Sequence, residues 1–246
     1  MSSKDKLRNK RVVVIGGSSG IGFAVAEAVL DSGAEVIIAS STQSKVDGAM
    51  ARLDSPSASG RTVDISSEEQ LRHFFEDVGP FDHFVYTAGD ALQLGQFEQT
   101  DLKKAKTALD VRFWGCIAAI KAAQKLIRPG GSITMTSGTI ALKPIKDWAI
   151  ATGVAGATES LTRGLALDLA PIRVNTVIPG FVATEMWDTH MSKEEQHKVF
   201  QETGKKLLTG RVASPDDIAE CYLYCMKAGF TTGSNVVADG GGLLTL

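Results

Sequence analysis

A glycine-rich turn between the first two apolar segments constrains the fold more than any other feature of the chain. Arg11–Ile15 has the unbroken β-branched pattern of a buried strand, and Ile21–Leu30 has the apolar spacing of a helix. Gly16, Gly20 and Gly22 join these segments with the spacing G-x-x-x-G-x-G. A strand, a glycine turn and a helix in this order predict the first unit of a parallel α/β sheet.

Strand and helix patterns continue to alternate along the chain. We predict further strands at Glu35–Ala39, Arg61–Asp64, His83–Tyr86, Ser132–Thr136, Arg173–Val177 and Asn235–Ala238. We predict helices at Ser67–Asp77, Leu102–Ile127, Trp148–Leu169 and Lys193–Lys206. This alternation requires parallel strands, right-handed crossovers and helices on both faces of the sheet.

The length of 246 residues fits one large domain. We therefore expect a single doubly wound α/β domain of Rossmann type over 1–246, with a polar tail over residues 1–10. A charged helical insertion at about 185–206 follows Pro179-Gly180, where an element that covers a substrate would lie. The alternative interpretation of this insertion is a solvated surface helix.

Composition excludes several classes of protein. A net charge of −2 and an isoelectric point near 6.1 predict no basic surface for nucleic acid or an acidic membrane. The start of the chain lacks the apolar core of a signal peptide, and its apolar runs are shorter than a membrane span. The three cysteines cannot all pair, which favours a cytoplasmic location. Cys221 and Cys225 are expected to pack in the core rather than to bind a metal.

The glycine turn also predicts a ligand. Gly16 permits the tight turn, Gly20 lets the backbone approach a pyrophosphate, and Gly22 lets helix and strand pack closely. The N-terminus of the helix directs free N–H groups and the positive end of its dipole at the phosphates. We therefore expect a dinucleotide to contact Gly16, Ser18, Ser19, Gly20, Ile21 and Gly22.

Further motifs follow in a fixed order. They are Asp64-Ile65, Thr87-Ala88-Gly89, Asn175-x-Val-x-Pro179-Gly180-x-Val-x-Thr184, Arg211–Pro215, and Thr232-Gly233 with Asp239-Gly240-Gly241. Together with the glycine turn, they make the chain resemble the short-chain dehydrogenase/reductase family over nearly its whole length. The resemblance implies a nicotinamide cofactor, with Asp64 and Ile65 at the adenine. It implies further cofactor contacts at Ala88, Gly89, Pro179, Gly180, Val182 and Thr184.

The end of the second strand bears on the choice of cofactor. The segment Ala39-Ser40-Ser41-Thr42 contains no acidic residue, and Lys45 follows it. A carboxylate there would repel the extra phosphate of NADP, since two like charges about 4 Å apart cost roughly 4 kcal/mol near a protein surface. Ser40 and Ser41 therefore favour NADP(H). NAD(H) stays as the alternative, because the same residues are ordinary for a loop.

The proton relay of the family is altered in this sequence. The family's reductases use Asn, Ser, Tyr and Lys, and the matching positions hold Arg112, Gly138, Ala151 and Ala155. Ser137 adjoins the serine position, but in an extended strand its side chain should face the opposite way. A carbonyl needs such an acid, which contributes about 10²–10⁴-fold. An iminium carbon is already cationic and needs no proton, so the sequence favours an iminium over a ketone.

Three residues near these positions are candidates for the chemistry. We expect Arg112 to orient substrate or cofactor, Asp147 to stabilise a substrate cation, and Trp148 to stack on an aromatic ring. The alternatives are an ion pair between Arg112 and Asp110, a helix N-terminal charge at Asp147 and a packing role for Trp148. Two alanines in place of Tyr and Lys leave room for a bulky, cyclic small-molecule substrate.

These changes are similar to a divergent fungal branch of the family. That branch includes NADPH-dependent reductases of prenylated-indole alkaloid pathways, which reduce an iminium and guide a Diels–Alder cyclisation. The resemblance implies an oxidoreductase of secondary metabolism that reduces an imine or iminium, and it implies a homodimer or homotetramer. The acidic residue of those enzymes aligns near Ile145, whereas the nearest acid here is Asp147. A conventional carbonyl reductase or alcohol dehydrogenase with another acid, and a nucleotide-binding protein without turnover, remain as alternatives.

Overall fold

The computed structural model describes residues 6–246, and these form a parallel sheet of seven strands in the order β3-β2-β1-β4-β5-β6-β7. The strands are β1 (Arg11–Ile15), β2 (Glu35–Ser40), β3 (Ala58–Thr62), β4 (Phe81–Tyr86), β5 (Ile127–Thr136), β6 (Arg173–Pro179) and β7 (Asn235–Ala238). Every neighbouring pair is parallel. The predicted doubly wound α/β fold is confirmed.

Helices cover both faces of the sheet. They are α1 (Gly20–Asp31), α2 (Gln43–Leu53), α3 (Glu68–Val78), α4 (Leu102–Thr107), α5 (Cys116–Ala123), α6 (Ala149–Asp168), α7 (Lys193–Lys206), α8 (Pro215–Lys227) and α9 (Gly242–Thr245). Residues of α1, α2 and α8 share one core cluster, and residues of α3, α5 and α6 share the other. No helix in the described part of the chain is long and apolar enough to cross a membrane.

Strand β1 shows why an unbroken apolar run is needed in such a sheet. Val12 and Val14 belong to the core cluster of α1 and α8, whereas Val13 and Ile15 belong to the cluster of α3 and α5. Successive side chains of a strand point to opposite faces, and here both faces are covered. An alternating apolar–polar strand would place polar groups in one of the two cores.

The strand order reverses at β1 and thereby positions the site. Strand β1 pairs with β2 on one side and with β4 on the other. In open α/β sheets, ligands bind in the crevice outside the carboxyl ends of the strands at such a reversal. Ile15, Ser40 and Tyr86 are the last residues of these three strands. A ligand site is therefore expected beside them.

The prediction of one continuous helix over Leu102–Ile127 is wrong. The structure divides the segment into α4, a π-helical turn at Asp110–Gly115, α5 and a short 3-10 turn, and Ile127 already begins β5. In the π turn the Trp114 amide donates to the Leu109 carbonyl, five residues back. The Tyr86 hydroxyl donates to the Val111 carbonyl at 2.6 Å. The Val111 carbonyl of the turn is thus bonded to a residue of another element. Helical periodicity in the sequence cannot reveal such a contact.

Smaller differences occur elsewhere. The third strand spans Ala58–Thr62 rather than Arg61–Asp64, because its pairing with β2 begins at Ala58 and ends at Thr62. Helix α2 was not predicted. Of the expected polar tail over 1–10, residues 1–5 lie outside the described residues, and Leu7 is fully buried in the core.

Candidate active site

A large cavity of about 1390 Å³ lies at the carboxyl ends of the strands. Ile15, Ser40, Thr136 and Pro179, each at or next to the end of a strand, contribute to its wall. The wall includes every residue for which a cofactor contact was predicted: Gly16, Ser18, Ser19, Gly20, Ile21, Gly22, Ser40, Ser41, Asp64, Ile65, Ala88, Gly89, Pro179, Gly180, Val182 and Thr184. Residues far apart in sequence are thus brought to one site.

The glycine turn has no space for side chains. A Cβ added to Gly16 would lie 2.5 Å from the Ala88 amide nitrogen, and Gly16 has a φ of +88°. A Cβ added to Gly22 would lie 2.2 Å from the Gly16 carbonyl oxygen and 2.3 Å from Thr87 Oγ1. The backbone itself is therefore the surface presented to a ligand, as a pyrophosphate site requires.

The N-terminus of α1 is open to an anion. Ser19 precedes the helix with an extended backbone, and its side chain forms no capping hydrogen bond. The first turn carries no acidic residue. The first-turn amides are therefore not capped by Ser19, and the positive end of the helix dipole faces a wall of the cavity.

Hydroxyl groups line the end of the cavity beside β2. Ser18 Oγ and Ser40 Oγ lie 2.9 Å apart and share a hydrogen bond, and Ser41 is exposed beside them. Asp64 accepts hydrogen bonds from the Ser66 hydroxyl and amide at 2.7 and 2.9 Å. These two hydrogen bonds hold the pKa of Asp64 below its usual range, and the bond from the Ser66 hydroxyl has the larger effect. Asp64 is thus an ionised acceptor, held in one orientation.

The opposite end of the cavity carries small residues at three of the positions predicted for the proton relay. Gly138, Ala151 and Ala155 line it, and no tyrosine, histidine or cysteine of residues 6–246 does so. The Tyr222 hydroxyl is buried and hydrogen-bonded to Thr136 Oγ1 at 2.6 Å, and burial raises its pKa. Tyr86 is bound to the π turn. Neither tyrosine offers a proton to the cavity.

Ser137 lines the cavity but is engaged elsewhere. Its hydroxyl donates to Glu159 Oε1 at 3.0 Å and lies 3.1 Å from the Ala155 carbonyl oxygen. Glu159 is 7% exposed and lies on α6. The pair holds the end of β5 against α6.

Arg112 lies in the π turn and reaches the cavity. Its guanidinium donates to the Asp90 carbonyl, and a Cβ added to Gly89 would lie 2.5 Å from its Cζ atom. Burial lowers the pKa of Arg112, while the nearby Asp90 carboxylate acts to raise it. The hydrogen bond goes to Asp90 rather than to Asp110, the partner considered from the sequence. The missing Cβ of Gly89 lets the planar group lie against the backbone.

Trp148 belongs to an aromatic cluster on the cavity wall. Its ring centroid lies 6.4 Å from that of Trp187, and Phe181 stacks on Trp187 at 4.7 Å with an angle of 10°. The Trp187 indole N–H donates to the Val182 carbonyl at 2.9 Å. The cluster, defined by Trp148, Phe181 and Trp187, is therefore held by packing and by a buried hydrogen bond.

Asp147, predicted to stabilise a substrate cation, is not part of the cavity wall. The residue is exposed and has a φ of +68°. Its carbonyl accepts a hydrogen bond from the Gly95 amide at 2.8 Å. This hydrogen bond joins the loop around Gly95 to the start of α6.

The insertion at about 185–206 divides into two parts. Glu185–Thr189 is a 3-10 turn, and Glu185, Met186, Trp187 and Thr189 line the cavity. Lys193–Lys206 is α7, as predicted, but none of its residues lines the cavity. The 3-10 turn therefore covers part of the cavity, and α7 does not contribute to the cavity wall.

Comparison with known proteins decides the family. A family profile described as an SDR-like Rossmann domain matches residues 3–245. The chain belongs to the short-chain dehydrogenase/reductase family. The short-chain dehydrogenase/reductase ucsE of Acremonium sp is 38% identical over 258 residues, which cover 98% of this chain and 97% of ucsE.

Two solved structures of this family are similar over the whole chain. The MalC reductase/Diels-Alderase from Malbranchea aurantiaca has a TM-score of 0.90 at 35% identity and covers 98% of this chain and 99% of its own. A small-chain dehydrogenase in complex with NADPH has a TM-score of 0.81 at 32% identity, with 96% and 99% covered. The ucsE and MalC matches confirm the resemblance to the fungal branch of the short-chain dehydrogenase/reductases.

Sequence reasoning missed two parts of the wall of this short-chain dehydrogenase/reductase. One is the face of α2 that carries Gly48 and Arg52, and the other is Phe181, which stacks on Trp187. The first had a signal, because the apolar residues Val46 and Ala49 recur at helical spacing and predict a helix directly after the second strand. The second had none, since it depends on how the segment after β6 folds back.

Proposed function

We propose that this short-chain dehydrogenase/reductase is an NADP(H)-dependent oxidoreductase of secondary metabolism that reduces the C=N bond of an imine or iminium in a bulky, cyclic substrate. The proposal rests on the wall formed by Gly138, Ala151 and Ala155, where the family places its proton relay. These side chains donate no proton, and no tyrosine or histidine among residues 6–246 lines the cavity.

The cavity suits NADP(H). A neighbouring structure of the family holds NADPH, and the Ser40–Ser41 end of β2 has no carboxylate to repel a phosphate. When bound, NADPH supplies the hydride. We assign its pyrophosphate to Gly16, Ser18, Ser19, Gly20, Ile21 and Gly22, its adenosine to Ser40, Ser41, Asp64 and Ile65, and its nicotinamide side to Ala88, Gly89, Pro179, Gly180, Val182 and Thr184.

An iminium suits a cavity whose relay positions Gly138, Ala151 and Ala155 carry no acid. Its carbon is cationic, so a hydride with its two electrons converts it to a neutral amine and no proton has to move. A neutral imine first takes a proton from water and is then reduced as the iminium. A ketone becomes an alkoxide instead, and the missing acid then costs about 10²–10⁴-fold. The chain's own contribution is to bind, orient and exclude water.

Arg112 and Trp148 are assigned to orientation. Both line the same cavity. The face of an aromatic ring attracts a cation, whereas a guanidinium repels one. The cationic carbon of a substrate is therefore directed toward Trp148 and away from Arg112. We assign no chemical role to the Asp147 carboxylate.

The finer parts of the proposal follow the relatives. MalC is described as a reductase and Diels-Alderase, which supports a cyclisation guided by the same apolar wall. The enzyme is proposed to work in the cytoplasm, where its three free cysteines would stay reduced. We further propose a homodimer or homotetramer.

A second candidate function is favoured by one observation. Ser137 lines the cavity and is hydrogen-bonded to the buried Glu159 carboxyl group. A serine in contact with a buried carboxyl group can pass a proton to a carbonyl oxygen, as a conventional carbonyl reductase requires.

One experiment separates the two candidates. NADPH consumption is measured with a cyclic iminium and with the ketone of the same ring system, for wild type and for Ser137→Ala. Turnover of the iminium alone, unchanged by Ser137→Ala, supports imine reduction. Ketone turnover that Ser137→Ala removes would contradict it and favour carbonyl reduction.

A further inference from the structure

A second, smaller cavity lies at the end of the sheet opposite to the candidate active site. It has a volume of about 260 Å³ and is bordered by the amino-terminal ends of β4 and β6, by β5 and by the end of α8. No described residue lines both cavities. Because pockets for organic ligands usually have about 300–1,000 Å³, this cavity suits a small ligand.

The wall of this smaller cavity is positively charged. Its charged side chains are Lys6, Lys10, Asp82, Arg173 and Lys227. The Asp82 carboxylate accepts hydrogen bonds from the Lys10 ammonium at 2.9 Å, from the Arg11 amide at 2.9 Å and from Arg128 at 3.0 Å. Asp82 is thus taken up by its own partners. The other three cations of the wall have no carboxylate partner within residues 6–246.

Two of these cations hold the end of α8. The Arg173 guanidinium donates to the Cys225 and Met226 carbonyls at 2.6 and 2.8 Å. The Lys6 ammonium donates to the Lys227 carbonyl at 3.1 Å. Carbonyls of a last helical turn lack intrahelical partners and form the negative end of the helix dipole, so cations are favourable there. The carbonyls satisfy the donors, but they supply no counter-charge.

The Lys227 ammonium is available to a ligand. Lys227 is the last residue of α8 and lies half-buried on the cavity wall. Its side chain makes no hydrogen bond or ion pair with any described residue. Gly229 also lines the cavity, and a Cβ added there would have no heavy atom within 4 Å. The wall next to Lys227 therefore borders open space.

A buried histidine supplies a second polar group. His83 is 4% exposed and lines the cavity, and its Nδ1 atom lies 2.9 Å from Ser132 Oγ. Its Nε2 atom has no hydrogen-bond partner among residues 6–246. Burial, followed by the charge of Arg173, lowers the pKa of His83 to about 4, so the ring is neutral at neutral pH. When the Ser132 hydroxyl donates to Nδ1, Nε2 carries the ring proton and is a donor.

We propose that the smaller cavity binds a phosphate group, which the Lys227 ammonium and the His83 Nε2–H contact beside the charges of Arg173 and Lys6. The phosphate supplies the counter-charge that the wall lacks and a partner for the buried ring nitrogen. Its oxygens accept several charge-assisted hydrogen bonds at once, as a site with cations on more than one side requires. The site is separate from the proposed reaction, since none of its residues lines the larger cavity.

The test measures phosphate binding to the NADPH-saturated protein, so that the glycine turn is occupied. Inorganic phosphate and glycerol phosphate are titrated by calorimetry, with sodium chloride of equal ionic strength as the blank. We expect saturable binding to the wild type. In Lys227→Ala, affinity should fall roughly tenfold, because a charge-assisted hydrogen bond is lost. Lys206→Ala is the matched control, since Lys206 ends α7, is exposed and lines neither cavity, and it should bind phosphate as the wild type does.

A charge placed on the wall tests the site without removing a native contact. Gly229→Asp introduces a carboxylate where an added Cβ meets no heavy atom within 4 Å, and it should abolish phosphate binding. Gly229→Asn has nearly the same shape and no charge, and its affinity should stay within about threefold of the wild type. Circular dichroism checks that both variants fold.

His83 gives a readout that reports on the cavity itself. Its ring signals in nuclear magnetic resonance spectra are assigned by comparison with His83→Gln. Phosphate should shift these signals and raise the pKa of His83, because a nearby anion favours the charged imidazolium. Tighter binding of glycerol phosphate would identify an organic phosphate as the ligand, and tighter binding of inorganic phosphate would identify the free ion.

Several results would overturn the assignment. They are the absence of saturable binding, equal affinities of Gly229→Asp and Gly229→Asn, an unchanged affinity in Lys227→Ala, and His83 signals that do not respond to phosphate. Loss of iminium turnover with an intact phosphate site would bear on the proposed function alone.

Discussion

The two ends of the cavity are built in different ways. At the glycine turn, which we assign to the cofactor pyrophosphate, the wall is backbone, and a Cβ added to Gly22 would lie 2.2 Å from the Gly16 carbonyl oxygen. At the end that we assign to the substrate, the wall is made of side chains from separate segments, such as Arg112, Trp148 and Phe181. A backbone wall tolerates few residue types, whereas a side-chain wall can change without disturbing the fold. The difference explains how an enzyme can keep its cofactor site while its reaction changes.

The largest effect is expected at the cofactor end, from Gly22→Ala. The added methyl group would meet the Gly16 carbonyl and Thr87 Oγ1 within 2.3 Å, which forces the glycine turn open. We expect NADPH binding to be lost and the free energy of unfolding to fall by about 1–3 kcal/mol. Fluorescence titration and urea denaturation measure the two.

The matched control is Gly153→Ala on α6, where an added Cβ has no heavy atom within 4 Å. That change should retain nucleotide binding and stabilise the protein by up to about 1 kcal/mol. Normal NADPH binding by the Gly22 variant would show that the backbone wall is less strict than the structure indicates.

A smaller but still large effect is expected at the substrate end, from Arg112→Ala. Removing the guanidinium should lower kcat/KM for an iminium by about 10²-fold, because misplacing a reactant can cost that much. NADPH affinity should change less than threefold. Arg112→Lys keeps the charge but loses the planar contact with Gly89, and should recover only part of the rate. Full activity of Arg112→Ala would remove the residue from the site.

Restoring the relay should have an intermediate effect. Gly138→Ser, Ala151→Tyr and Ala155→Lys are introduced together; a Cβ at Gly138 meets only Ile140 Cγ1, at 3.9 Å, so the serine fits. We expect ketone turnover to rise at least tenfold, toward the range of acid catalysis. Turnover of a bulky iminium should fall, since the new side chains occupy the cavity. No gain with a small ketone, in a variant that still binds NADPH, would mean that more than the relay has changed.

The smallest effect is expected at Asp147, whose φ of +68° favours glycine or asparagine. Asp147→Ala should lose about 1 kcal/mol of stability relative to Asp147→Gly, because only glycine adopts this backbone freely. If the backbone link to Gly95 is what matters, the glycine variant keeps its activity and the alanine variant loses some. Equal loss of kcat in both would restore the sequence prediction of a functional carboxylate.

The features that could be predicted from the sequence are mainly those that depend on local backbone conformation, as the glycine turn does. The residues from Gly16 to Gly22 were predicted because their chemistry is local and depends on backbone conformation at fixed spacing. The strands were predicted because burial on both faces leaves an unbroken apolar run, as in Arg11–Ile15. Arg112 and Trp148 were found only through their positions relative to a family pattern.

What the sequence did not predict depends on tertiary contacts. The π turn at Asp110–Gly115 is accompanied by a hydrogen bond from Tyr86, and Phe181 lines the cavity stacked on Trp187. Asp147 is not part of the cavity wall, and its backbone adopts the left-handed region. Such features have no periodicity and no composition that would mark them.

The central claim is that hydride reaches an acceptor that needs no proton. The most direct measurement is single-turnover transfer of deuteride from deuterated NADPH to a cyclic iminium and to its ketone counterpart, followed by mass spectrometry across pH. The account predicts deuterium in the amine, at a rate independent of pH while the iminium stays charged, and none in an alcohol. Efficient labelling of the alcohol, with a rate that falls as an enzyme acid is titrated, would contradict it.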